Sequence, residues 1–258
     1  MTNQKTSYIY GLHAVESALR NDAGNIACIH YSHERHDKRI TRLIELAAAK
    51  NRTTQPCTRS ELNRLANSSK HQGVVAQYHA ISQGSENELD TLLATQEEPA
   101  FLLMLDGVQD PHNLGACLRS AEAAGVHAVI IPKDKAATVT PVVRKVAAGA
   151  AERLPIIRAT NLARVLKQLK KAGIWVVGTS DKAETDIFQA DLNGPLALVM
   201  GSEGKGIRPL VMQHCDTLAH IPMQGGAESL NVSVATGVCL FEALRQRRLK
   251  ASLLHRNT

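Results

Sequence analysis

The sequence offers little material for staples or stacks. Its five cysteines, Cys28, Cys57, Cys117, Cys215 and Cys239, are scattered, odd in number and free of any C-x-x-C pair. That spacing argues against a disulfide framework or a zinc site and predicts buried free thiols. Aromatic residues make up only 3% of the chain, so platforms for stacking nucleobases must be few. No apolar run approaches the ~20 residues needed to span a bilayer. The opening Met1-Thr2-Asn3-Gln4-Lys5 has no apolar signal region, so a cytoplasmic protein without a membrane partner is expected. Eleven histidines are present, but none stands in H-E-x-x-H or another ligand spacing, and no metal is expected. Two nucleotide signatures are missing as well. In Met200-Gly201-Ser202-Glu203-Gly204-Lys205-Gly206, Val199 stands where a Walker loop needs its first glycine, and Gly206 replaces the magnesium-binding hydroxyl. No G-x-G-x-x-G follows the apolar segment Phe101–Leu105.

What is present is a basic chain, with a formal charge of +6 that favours polyanionic partners. Residues 1 to about 80 read as a compact α/β unit. Tyr8–Tyr10 is a short strand turning into a helix that ends at Asn21-Asp22-Ala23-Gly24. A strand follows from Ile26 to Tyr31, then an amphipathic helix through Ile40, Leu43, Ile44 and Ala47, a short helix from Arg59 to Leu65, and a last strand entered through His71-Gln72-Gly73. Arg52, Arg59, Arg64 and Lys70 fall in the loops and short helix of this unit. The charged run His33–Arg39 has two open readings, a solvated helix start or a contact to RNA phosphates. Ser82–Glu88 is polar and reads as a linker.

After the linker the texture changes. Phe101–Leu105, Ala128–Ile131, Ile174–Val177, Leu196–Met200 and Leu218–Ile221 are uninterrupted apolar segments, as expected of strands buried on both faces. Helical patterns lie between most of them, which predicts an α/β fold with a mainly parallel sheet. The final helix carries Val234, Val238, Phe241 and Leu244 at helical spacing and is expected to bury that stripe.

Three loops follow three of these strands, at the ends where α/β proteins bind ligands. In Asp106–Ser120, Asp110 suits a helix cap, Pro111 the first helical position, and Gly125 the stop. Asn113 and Arg119 lie six residues apart, roughly 120° apart around a regular helix. They can serve one site only if Asn113 lies in the first turn or if two subunits contribute. Taken alone, Arg119 reads first as an exposed partner of Glu122, and Glu203 as an ordinary turn carboxylate. In the third loop, Ile221–Ala235, glycines permit close approach of a ligand, while Ser229 and Asn231 are both helix-cap types.

Taken together, Asp110-Pro111-His112-Asn113-Leu114-Gly115 with Arg119, Met200–Gly204, and Ser229–Ala235 resemble the catalytic domain of the SpoU/TrmH methyltransferases of the SPOUT superfamily. Residues 8–80, with Tyr10–Val15 and His71-Gln72-Gly73, resemble the small RNA-binding domain of its ribosomal RNA members, which is related to kink-turn-binding ribosomal proteins. The resemblance implies an α/β chain with an RNA substrate-binding domain at 1–81, a linker at 82–99 and a catalytic domain at 100–258 with a parallel sheet and a trefoil knot. It implies S-adenosylmethionine bound near Thr179, Gly201, Ile221, Met223, Ser229 and Leu230, and no metal. Arg119, Asn113, Glu203, Ser229 and Asn231 would form the catalytic group. The implied reaction is 2′-O-methylation of a guanosine ribose in 23S rRNA, in the loop that contacts P-site tRNA, by a homodimer with no DNA partner. Three alternatives stay open: a transfer RNA ribose methyltransferase, an antibiotic-resistance rRNA methylase, and an rRNA-binding protein without activity.

Overall fold

The computed structural model of the protein describes residues 6–254 except 22, 36 and 80–83. Met1–Lys5, Asp22 of the first helix stop, His36 of the basic run, and Ser82-Gln83 of the expected linker lie outside the described residues. The chain divides into two compact units. One comprises Met1–Ser82 with Val139–Arg153, the other Gln83–Thr138 with Leu154–Thr258.

The chain begins with β1 (Thr6–Tyr10), α1 (Leu12–Asn21), β2 (Ile26–Ser32), α2 (Lys38–Ala49), β3 (Thr53–Cys57), α3 (Arg59–Ala66) and β4 (Val74–His79). These strands form a sheet in the order β1-β4-β2-β3, antiparallel except for the parallel pair β2–β3. Strand β3 was not legible in the sequence. Its Thr-Thr-Gln-Pro-Cys is mostly exposed and contains Pro56, which an edge strand tolerates. Helix α2 starts where the Asp37 carboxylate accepts the Arg39 and Ile40 N–H groups. Helix α3 starts at a capping box between Thr58 and Glu61. The core of this unit gathers Val15, Leu19, Ile26, Ile29, Ile40, Leu43 and Tyr78.

Beyond β4 comes α4 (Glu86–Thr95), within the 82–99 expected as a linker and overlapping the polar Ser82–Glu88 only at its start. Its Leu89 is fully buried in the core of the second unit. Next are β5 (Phe101–Asp106), α5 (Pro111–Ala123) and β6 (Ala128–Pro132). Two short helices, α6 (Pro141–Ala147) and α7 (Ala150–Arg153), belong to the first unit, where α6 packs on β1 and Ser17 donates its hydroxyl to the Ala148 carbonyl at 2.9 Å. The chain then completes the second unit with β7 (Ile156–Ala159), α8 (Leu162–Lys171), β8 (Trp175–Thr179), β9 (Thr185–Asp186), β10 (Leu196–Gly201), α9 (Pro209–Met212), β11 (Thr217–His220) and α10 (Val232–Leu254).

These strands form one sheet in the order β7-β6-β5-β10-β8-β11-β9, and every pairing is parallel. The continuous apolar runs have the expected cause: β5 and β6 are buried along their whole length, with α4, α8 and α9 on their side of the core. The expectation for α10 is overturned. Val234 and Phe241 are about half exposed, while Thr236, Cys239, Leu240 and Ala243 are the buried face. The buried face is the one packed on α5, where Cys117 meets Thr236 and the Ser120 hydroxyl lies 3.7 Å from a Cβ built on Gly237.

Candidate active site

Because the second sheet is parallel, the C-terminal ends of its neighbouring strands share one edge. Register pairs Gly201 with Asp106, Val199 with Gly178, and Thr179 with Ala219. The loops after β5, β10 and β11 therefore leave the sheet side by side, which is where ligands bind in this class of fold.

Three side chains from those loops meet. Asp110 caps α5 through the His112 N–H, and Pro111 opens the helix, so Asn113 lies in its first turn. Asn231 caps α10: its Oδ1 accepts the Ser233 N–H at 2.9 Å and the Ser233 hydroxyl at 2.6 Å. Its Nδ2 donates to Asn113 Oδ1 and to Glu203 Oε1, each at 3.1 Å. Asn113 Nδ2 donates to the same Glu203 oxygen. Both amides are thus locked by one carboxylate oxygen. The second Glu203 oxygen has no hydrogen-bond partner among the described residues, although Glu203 is exposed.

The loop carrying Glu203 is held from both ends. Gly201 packs so tightly that a Cβ there would lie 2.1 Å from the Gly206 carbonyl carbon, a distance no side chain tolerates. Ser202 and Gly206 exchange backbone hydrogen bonds of 3.1 and 2.9 Å. Beyond them, the fully buried carboxylate of Asp106 accepts Arg208 Nε at 2.7 Å and the Arg208 backbone N–H at 2.8 Å. Asp106 and Arg208 received no role from the sequence. An acidic residue ending an otherwise unbroken apolar strand is the signal that marks Asp106.

The other sequence-predicted residues lie near this edge without joining the cluster. Thr179, at the end of β8, donates its hydroxyl to the Val199 carbonyl at 3.2 Å. Ile221 and Leu230 are half-buried, whereas Met223 and Ser229 are exposed. Of the two expected caps only Asn231 acts as one. Arg119 projects from α5 about 9 Å along the axis from Asn113, exposed and without a hydrogen bond or ion pair among the described residues. Beneath the cluster, the buried Cys117 thiol donates to Thr236 Oγ1 at 3.5 Å, and burial pushes its pKa up to about 11. No group of histidine, cysteine or acidic residues suited to a metal occurs among the described residues.

A likeness to known proteins accompanies this geometry. Residues 100–241 match the model of the SpoU rRNA Methylase family, and residues 8–84 match that of RNA 2'-O ribose methyltransferase substrate binding. The chain is 51% identical over 245 residues to the 23S rRNA (guanosine-2'-O-)-methyltransferase RlmB of Shewanella oneidensis, covering 95% of this chain and 99% of the relative. Against the protein of that name from Pseudomonas aeruginosa the identity is 54%, covering 93% and 96%. Among solved structures, the SpoU methyltransferase AviRb from Streptomyces viridochromogenes in complex with AdoMet superposes with a TM-score of 0.75 at 26% identity, covering 93% of this chain and 89% of that one.

Proposed function

The chain belongs to the SpoU rRNA methylase family, and from that premise we propose that it transfers a methyl group from S-adenosylmethionine to the ribose 2′-hydroxyl of a guanosine in 23S rRNA. The observation that carries this reading is the joining of Asn113, Glu203 and Asn231 from loops after three strands. The residues fit the methyl donor: Gly201, Gly225 and Gly226 leave backbone open to a ligand along the edge that Thr179 and the Ile221–Leu230 loop share. S-adenosylmethionine supplies an already electrophilic methyl on its sulfonium, so the chain's task is alignment and management of one proton.

Asn113 and Asn231, fixed by Glu203, orient the sugar. Arg119 is the family arginine, and its guanidinium stays charged because its pKa lies above ~12. It acts by holding the adjacent phosphate, polarising the hydroxyl and stabilising the growing alkoxide. Its freedom from hydrogen-bond and ion-pair partners among the described residues suits that role. Ser229 borders the reacting groups, and Met223 covers the adenosine.

The half-exposed Val234 and Phe241, seven residues apart on α10, support a homodimer built on that face. The insertion of β10 between β5 and β8 is compatible with a trefoil knot in the C-terminal part. A small mixed sheet flanked by helices supports kinship of the first unit with kink-turn-binding proteins; of the division at 1–81, 82–99 and 100–258, α4 goes with the catalytic unit and residues 139–153 with the RNA-binding one. The target is the loop that contacts P-site tRNA, and the setting is the cytoplasm. Among the described residues no helix is long and apolar enough to cross a membrane.

Mapping ribose methylation on ribosomal and transfer RNA, from cells with and without the gene, tests the reaction and its target. Loss of one methylated guanosine in 23S rRNA is expected, and loss in transfer RNA alone overturns the target. In single turnover, Arg119→Lys should slow methylation by about 100-fold, because a point charge cannot reproduce the planar fork.

A further inference from the structure

The first unit contains a cavity of about 570 Å³, well away in the chain from the residues named above. Its walls come from the turn after β2, the start of α3, the loop before β4, and α6. Four cations line it: Arg35, Arg59, Lys70 and Lys145. Arg35 is committed to the wall, since it pairs with Asp37 and donates to the Gln72 carbonyl at 2.5 Å. Arg59, Lys70 and Lys145 are exposed and make no side-chain hydrogen bond or ion pair among the described residues. Among the described residues Glu34 is the one carboxylate on the lining. Three unpaired cations against one carboxylate select an anion.

The loop that forms the floor is rigid before any ligand arrives. Gln72 and Gly73 both take positive φ, 55° and 77°. Buried His71 holds that shape: its Nδ1 accepts the Gly73 N–H at 3.0 Å, so its Nε2 carries the proton donated to Asn63 Oδ1 at 3.0 Å. Gln72 Oε1 accepts the Leu12 N–H at 3.1 Å, and the Gly73 carbonyl accepts the Ser32 N–H at 2.9 Å. Among the described residues no phenylalanine, tyrosine or tryptophan lines the cavity, and the His71 ring is buried, so stacked bases find no aromatic platform. A sugar–phosphate backbone, which needs cations and hydroxyls, fits this lining, and Ser69 supplies a hydroxyl.

We infer that this cavity is a backbone subsite for single-stranded RNA, in which Arg59 and Lys70 hold phosphates together with Lys145 from α6, given that the substrate is RNA as proposed above. Lys145 lies outside residues 8–84, the stretch that matches the substrate-binding model. The RNA grip of the first unit is therefore built from two segments of the chain.

The test uses the full-length protein and a labelled 23S rRNA transcript, with dissociation constants measured across a salt series. Arg59→Glu, Lys70→Glu and Lys145→Glu should each weaken binding by about 5- to 10-fold near 0.1 M salt and flatten the slope of log K against log salt by about 0.7 to 1. Lys145→Arg should bind like the unaltered protein. S-adenosylmethionine binding and the melting temperature report that each variant is folded. Unchanged affinity and slope in all three charge reversals overturn the subsite. Weakening by Arg59→Glu and Lys70→Glu but not by Lys145→Glu overturns the two-segment grip. An unaltered protein that binds the transcript through these residues yet methylates nothing counts against the proposed reaction and leaves the subsite standing.

Discussion

Asn231 donates its side-chain nitrogen to Asn113 Oδ1 across 3.1 Å, although 118 residues separate them in the chain. Both amides then converge on one oxygen of Glu203. An amide free to rotate offers a donor where an acceptor is needed half of the time, so the carboxylate decides which atoms face the substrate. Glu203→Ala releases both amides at once. Methyl transfer in single turnover should fall by about 100-fold, the usual consequence of a small misplacement of orienting groups. The melting temperature should barely move, because Glu203 is exposed.

Gly201→Ala should act through the backbone. The added methyl meets the Gly206 carbonyl carbon at 2.1 Å and the Ile207 nitrogen at 2.3 Å, and neither can step aside as a flexible side chain would. A loss of about 1–3 kcal/mol or more is expected in urea titration, with loss of S-adenosylmethionine binding in calorimetry. Gly194→Ala is the control. A Cβ there meets nothing within 4 Å, and stability should change by less than about 0.5 kcal/mol.

Three thiols should be inert in the folded protein. Burial pushes Cys117 up to about 11, and Cys215 and Cys239 up to about 12. At about pH 8 the thiolate fraction is then on the order of one in a thousand or less. Iodoacetamide followed by mass spectrometry should find all three unmodified until denaturant is added. Rapid labelling of Cys117 in the folded state would contradict its packing against Thr236.

His71 should give the first unit an acid sensitivity. Burial, then the nearby Arg59 charge, holds its imidazole below the ordinary 6.5. Between the folded and unfolded values the unfolded chain binds more protons, so stability rises with pH there and is lost as pH falls below about 6.5. Going from about pH 7.5 to about pH 5.5 should shift the denaturation midpoint of the unaltered protein more than that of His71→Gln. Equal shifts would show that the ring does not govern the loop.

Much of this site could be read from the chain because local chemistry fixes it. Asp110, Pro111 and Asn231 announce helix starts through capping, and the unbroken apolar strands announce a parallel sheet. Asn113 lies in a first turn because the helix starts at Pro111, yet Arg119 stands about 9 Å along the axis from it. What the sequence concealed depends on partners distant in the chain. The Val234–Phe241 stripe has helical spacing, yet the buried face of α10 is the one packed on α5, where Thr236 meets Cys117. Asp106 looks like a strand end until Arg208 is seen against it. Nothing local to Lys145 indicates that α6 joins the first unit.

Strand β10 pairs Leu196 with Phe101 on one side and with Trp175 on the other. Both neighbours leave the ribosome before it does, and the first waits while the whole intervening stretch is made. Contacts between such distant parts of a chain form slowly, since the loop must close before any contact rewards it. During translation the exposed edge of β5 is consequently a place where an unfinished enzyme can aggregate, and folding of the second unit should be the slow phase in a refolding experiment.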